Sequence, residues 1–176
     1  MEQVIFISNK TKKEILKYIF VLIAAVITWI FQLAVFSKFL YFDTTINLML
    51  LGAIYFALSY GVLMGTFFGI TASFLTSSIL YDHVFYFSYP LIGIFAGLLT
   101  KKLFSDELLF FIVLAFLLTM PVEFLNGWQY SFHNPINITN RFILVCLAGT
   151  FLNLFFSPFY YWFMRFVTKK LNVRQN

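Results

Sequence analysis

Glu123 is the acidic residue that falls inside an apolar stretch: it follows Pro121, and Asn126 lies one helical turn further on. A carboxyl at such depth is expensive to bury and usually serves as a ligand or proton contact. Its place near one end of the stretch suits a second role, at headgroup level and paired with Arg141 or Lys38, and nearness to the interface favours that pairing. His83 and His133 fall in loops on the same side, and with Asp82 and Glu123 they make a metal set on paper. No pair of them has helical ligand spacing, so no metal is expected. Trp128, Gln129, Tyr130 and His133 could instead stack on a small ligand. Gly-x-Ser-x-Gly, His-Glu-x-x-His and phosphate-loop patterns do not occur, so neither an enzyme nor a cofactor is expected. Cys146, the single cysteine, sits in the middle of an apolar run and reads as a buried, inert thiol.

The elements that must position these residues follow from composition. The chain is 61% apolar and 11% charged, with a mean hydropathy of +0.89. A soluble domain carries about 25% charged residues, and a globule with far fewer could not cover its surface. With 26 Phe and one Cys, disorder, a disulfide scaffold and a collagen-like repeat are excluded as well. An all-α polytopic membrane protein remains. At roughly 20 helical residues per crossing of a core about 30 Å thick, the chain reads as a single six-helix transmembrane domain with spans near 15–36, 44–59, 61–80, 84–99, 107–126 and 142–166. Thr11 and Glu14 form a capping box before the first span, which reads as a retained helix rather than a cleaved signal. The uncharged run from Thr44 to Leu80 would extend on the order of 55 Å as one helix, so it must turn, near Ser59-Tyr60-Gly61. Pro158 is an expected kink in the last span.

Lysine and arginine fix the expected orientation. Lys10, Lys12, Lys13, Lys17, Lys101, Lys102, Arg165, Lys169, Lys170 and Arg174 share one side, against Lys38 and Arg141 on the other. Both termini are therefore expected in the cytoplasm. The net charge of +5 then faces anionic lipid, and no nucleic-acid partner is implied. Tyr41, Tyr81, Tyr86, Tyr89, Trp128 and Tyr130 are expected in an outer aromatic belt, and Tyr18, Tyr60, Tyr160, Tyr161 and Trp162 in an inner one. The strongest pattern is one of packing. Gly61, Gly65, Gly69 and Ser73 recur at every fourth residue, and Gly93 and Gly97 repeat the spacing in the next span. Small residues let helices approach closely where no hydrophobic effect acts between them. The row serves packing within the bundle, or a groove for a partner helix, or both on different turns.

Three stretches carry a resemblance. Ile46-Asn47-Leu48-Met49-Leu50-Leu51 opens the second span; Tyr60-Gly61 leads into Gly65-Thr66-Phe67-Phe68-Gly69 and on to Tyr89 and Gly93 through Gly97; and Asn153-Leu154-Phe155-Phe156-Ser157-Pro158 is followed by Arg165. Together they resemble the MreD family, small membrane proteins of the bacterial cell-elongation machinery, including its closing Asn-x4-Pro-x6-Arg helix. Ser73 stands where that family often has Asp, and Thr44-Thr45 where it has Pro. The resemblance implies a non-enzymatic, rod shape-determining scaffold in the bacterial cytoplasmic (inner) membrane. It would bind the single-span protein MreC directly, and through it meet MreB filaments, the glycosyltransferase RodA and a class B penicillin-binding protein. Gly61, Gly65 and Gly69 would be the groove that receives a partner helix.

The alternative is the substrate-binding S component of an energy-coupling-factor vitamin transporter, a small six-span bundle similar in fold to MreD. On that reading Glu123, Asn126, Trp128 and His133 line an outward-facing ligand pocket.

Overall fold

A computed structural model describes residues 9–35, 44–80, 85–99, 107–133 and 138–170. Among them the chain forms six helices: α1 (Asn9–Ala34), α2 (Leu48–Tyr60), α3 (Val62–Leu80), α4 (Phe85–Leu99), α5 (Glu107–His133) and α6 (Ile138–Lys170). No strand is present among the described residues. The segments Glu14–Ala34 and Glu107–Leu125 are long and apolar enough to cross a membrane, and α2, α3 and α4 contain shorter apolar helices.

Several helix ends differ from the expected spans. Helix α1 already includes Thr11, so no capping box starts it there. Its Lys and Glu residues are good helix formers, and hydropathy marks an apolar stretch rather than the end of hydrogen bonding. Helix α2 begins at Leu48 instead of Thr44, because Asn47 caps it: the Asn47 side chain accepts from Leu50 N at 3.0 Å. Helices α5 and α6 extend beyond their apolar stretches, to His133 and over Ile138–Lys170. The break in the long uncharged run falls at Gly61, where φ is +91°. A residue with a Cβ is disfavoured in that conformation, whereas glycine adopts it freely.

Helix α2 packs against all five other helices, and Leu48 through Ala57 are all buried. Helices α3 and α4 form one tight antiparallel pair beside it, α5 and α6 another, and α1 lies on α2 and α3. Glycines set the α3–α4 approach. A Cβ on Gly93 would lie 2.6 Å from Thr66 N, one on Gly97 2.6 Å from Val62 Cα, and one on Gly69 2.8 Å from Pro90 N. Gly65 closes the same way on α2, with Ala57 Cα 2.6 Å from where its Cβ would stand. In each case the obstacle is backbone, which a side chain cannot displace without parting the helices.

Aromatic rings fill the space around α2. Phe56 stacks on Phe68 at 5.0 Å between centroids, and Tyr55 meets Phe111 and Tyr161 edge-on. Tyr89, Tyr160 and Tyr161 are core residues here, against the expectation that they belong to interfacial belts. The hydroxyls of Tyr89 and Tyr160 find partners inside, on Asn47 and Thr28, and that of Tyr161 meets the exposed Glu107. Trp162 and Trp128 do point outward. The exterior is apolar as well: Leu63, Phe74, Phe87, Leu98, Phe155 and Trp162 are each more than 60% exposed.

Cys146 is buried and, being the chain's single cysteine, its labelling by a thiol dye reports unfolding. In detergent, Gly93→Ala should lower the unfolding midpoint, in line with an overpacking penalty of about 1–3 kcal/mol. Gly61→Ala, with open space but a backbone conformation (φ +91°, ψ 175°) that essentially only glycine adopts, should lose about 1–3 kcal/mol. Leu63→Ala, on the exposed face, should fall within about 0.5 kcal/mol of the parent.

Candidate functional site

Polar side chains gather inside the bundle rather than on it. Thr44, Asn47, Ser73, Ser77, Ser88, Glu123, Thr150, Asn153 and Ser157 are all buried. Their centre is a node that joins the chain segment before α2 to α4 and α6. Asn47 N donates to Asn153 Oδ1 at 2.7 Å, and Tyr89 Oη donates to Asn47 Oδ1 at 3.0 Å. The same Asn47 oxygen accepts Leu50 N. One asparagine thus caps a helix with its side chain while its own N–H is held by a second asparagine. Asn153 is fully buried, and its Nδ2 has no hydrogen-bond partner among the described residues.

A second group lies one helical turn from this node along α6. Gly149 faces Thr44 and Glu123: a Cβ there would stand 2.9 Å from Thr44 Oγ1 and 3.0 Å from Glu123 Cδ. Glu123 is 7% exposed and makes no hydrogen bond or ion pair among the described residues. The structure therefore turns this carboxyl into the bundle, where its place in the sequence favoured a headgroup-level pairing. Lys38 lies outside the described residues, as does the side chain of Arg141.

The opposite end of the bundle has its own polar group. Tyr161 Oη donates to Glu107 Oε2 at 2.9 Å, Arg165 lies over the Tyr161 ring at 5.9 Å, and Tyr55 Oη meets Thr168 Oγ1 at 3.0 Å. This joins the start of α5, the end of α6 and the last turns of α2.

The site residues expected from sequence are distributed unevenly. Gly65, Gly69, Gly93 and Gly97 are buried against neighbouring helices of the same chain, and Ser73 is buried beside them. Gly61 alone of the row faces open space. In the closing helix, Asn153 is the buried node and Arg165 is exposed at the far end. Pro158 removes the N–H that would bond Leu154 O, and Ser157 Oγ replaces it at 2.8 Å, so the helix continues to Lys170. Of the outer pocket set, Glu123 is buried while Trp128 is exposed and packs edge-on with Phe124. The side chains of Asn126 and His133 lie outside the described residues, as do Asp82 and His83.

Sequence reasoning missed Thr44 and Gly149, and it gave Asn47 and Tyr89 no role at a site. Asn47 carried a signal, since an asparagine directly before an apolar run is a helix N-cap pattern. Gly149 carried none, because its use depends on which side chain α5 sets against it. No family model, curated protein or solved structure matches the chain.

Asn153→Leu should be the most damaging change at the node, because it leaves the buried Asn47 N–H without an acceptor; a loss of about 1–3 kcal/mol is expected. Tyr89→Phe should lose about 1 kcal/mol, since Asn47 Oδ1 keeps Leu50 N. The midpoint of Cys146 labelling against temperature measures both.

Proposed function

We propose that this chain is a multi-pass membrane protein with both termini in the cytoplasm, acting as a non-enzymatic scaffold of the MreD type in bacterial cell elongation. The observation that carries this reading is the convergence of the three stretches on which the resemblance rests. Asn47 from the first, Tyr89 from the second and Asn153 from the third are bonded to one another in the centre of the bundle. The motif residues are thus mutual contacts and not scattered coincidences of an apolar composition. An exterior of large apolar side chains supports the membrane setting. A bundle with no evident catalytic set acts through its surface.

The surface in question is not the glycine row. Gly65, Gly69, Gly93 and Gly97 are occupied by the protein's own helices, and only Gly61 faces open space, so a bulky residue at Gly65 or Gly69 would break the bundle before it tested a partner. On this reading MreC contacts an outward face. RodA, the penicillin-binding protein and MreB connect through MreC.

Photo-crosslinking side chains placed singly at Ile23, Leu63, Phe74, Phe95, Phe155 and Trp162, all exposed, test this with MreC from the same genome co-expressed. Crosslinks to MreC from one contiguous group of positions, with the rest silent, are expected. No crosslink at any position, together with tight thiamine, riboflavin or biotin binding by the purified protein, would overturn the scaffold in favour of a vitamin-binding transporter subunit.

A further inference from the structure

We infer that the end of α6 around Arg165, Lys169 and Lys170 binds an anionic phospholipid, with its acyl chains along the aromatic face of the same helix. This rests on the membrane setting of the reading above, and on no link to cell elongation. Phe155, Phe159, Trp162 and Phe166 follow one another at steps of three or four residues, so they share one face of α6, and each is more than 60% exposed. Lys169 and Lys170 continue that face one turn on. Arg165 borders it as the helical neighbour of Trp162 and Lys169, and all three cations are exposed.

The guanidinium is held in place. It lies over the Tyr161 ring at 5.9 Å, and the Tyr161 hydroxyl donates to Glu107 Oε2 at 2.9 Å, which fixes that ring against the start of α5. Lys170 Nζ lies over the Phe166 ring, also at 5.9 Å, so its charge stands at the end of the aromatic face. Two features select a lipid as the occupant. From Phe155 to Phe166 the face rises about 16 Å, the depth of one leaflet in a core about 30 Å thick. The cations then stand at headgroup height. Their charge selects among headgroups: the phosphate of phosphatidylcholine carries its own trimethylammonium, whereas an anionic lipid brings net negative charge to the three cations. The two lysines of the last turn also offset the negative end of the helix, but Arg165 lies before that turn and adds charge beyond it.

The test uses tryptophan quenching by lipids with brominated acyl chains. The chain has three tryptophans, Trp29, Trp128 and Trp162. With Trp29→Phe and Trp128→Phe, the full chain keeps Trp162 as its reporter. It is reconstituted into phosphatidylcholine vesicles that hold the same fraction of either brominated phosphatidylglycerol or brominated phosphatidylcholine. Stronger quenching by the phosphatidylglycerol is expected, with a relative affinity of about fivefold for each cation engaged. Replacing Arg165, Lys169 and Lys170 together by Gln should make the two lipids quench equally, with quenching by phosphatidylcholine unchanged because the helix still meets lipid. Lys12→Gln with Lys17→Gln, on α1, should leave the preference intact. A chain with Trp128 as its one tryptophan, at the other end of the bundle, should show no preference.

Equal quenching of Trp162 by both lipids, or a preference that survives the triple replacement, would overturn the proposal. So would a preference lost equally with the α1 lysines, because it would mean a diffuse attraction to the surface. Extraction of the parent chain from phosphatidylcholine vesicles by alkaline carbonate would remove the membrane setting itself, whereas retention with equal quenching would remove the lipid site alone.

Discussion

The backbone before α2 is what the rest of the molecule must accommodate. Residues 45–47 precede α2, so their N–H groups have no helical acceptor, and Thr44, Ile46 and Asn47 are buried. In water such a segment would be solvated; inside an apolar bundle its N–H groups must find acceptors from other elements. Asn153 supplies the acceptor for Asn47, and Tyr89 holds the Asn47 side chain in position to cap α2. Two helices, α4 and α6, are thereby tied to the start of a third, α2. The buried hydroxyls of Ser157 and Thr150 extend the same logic, each bonding a carbonyl of its own helix.

Close packing of small residues holds the helix seams together. The α3–α4 contact brings backbone against backbone at Gly65 and Gly93, and α2 fits beside it because Gly65 lets Ala57 in. Tyr55, Phe56, Phe68 and Phe111 then fill the remaining space with rings that meet at edges and faces. Glycine seam and aromatic filling are complementary: where helices touch closely no side chain is left, and where they diverge only large rings close the gap.

Sequence reasoning reached the helix number, the break at Gly61 and the small-residue spacing, because each follows from length or periodicity along a single segment. The helix ends were less legible. Polar turns such as Asn9–Thr11 continue a helix without any apolar signal. Aromatic depth was misjudged at Tyr89, Tyr160 and Tyr161, since an amphipathic ring serves an interface or a satisfied core site equally well, and only its partners decide. The site residues show the same division. Asn153 stood out by its place in a motif, whereas the meeting of Glu123, Thr44 and Gly149 depends on how α5 and the segment before α2 lie on α6. No local pattern encodes that arrangement.

The node also has a consequence for the order in which the protein can be assembled. Asn47 and its acceptor Asn153 are 106 residues apart, with α3, α4 and α5 between them along the chain. Through most of translation the start of α2 therefore lacks its native partner. Helices α1, α3 and α4 can gather around α2, but its polar end stays unsatisfied until α6 arrives. Such long-range closure is slow compared with pairing of neighbouring helices. A chain interrupted before α6 therefore leaves the Asn47 N–H without its acceptor, although Tyr89 and Leu50 still hold its side chain.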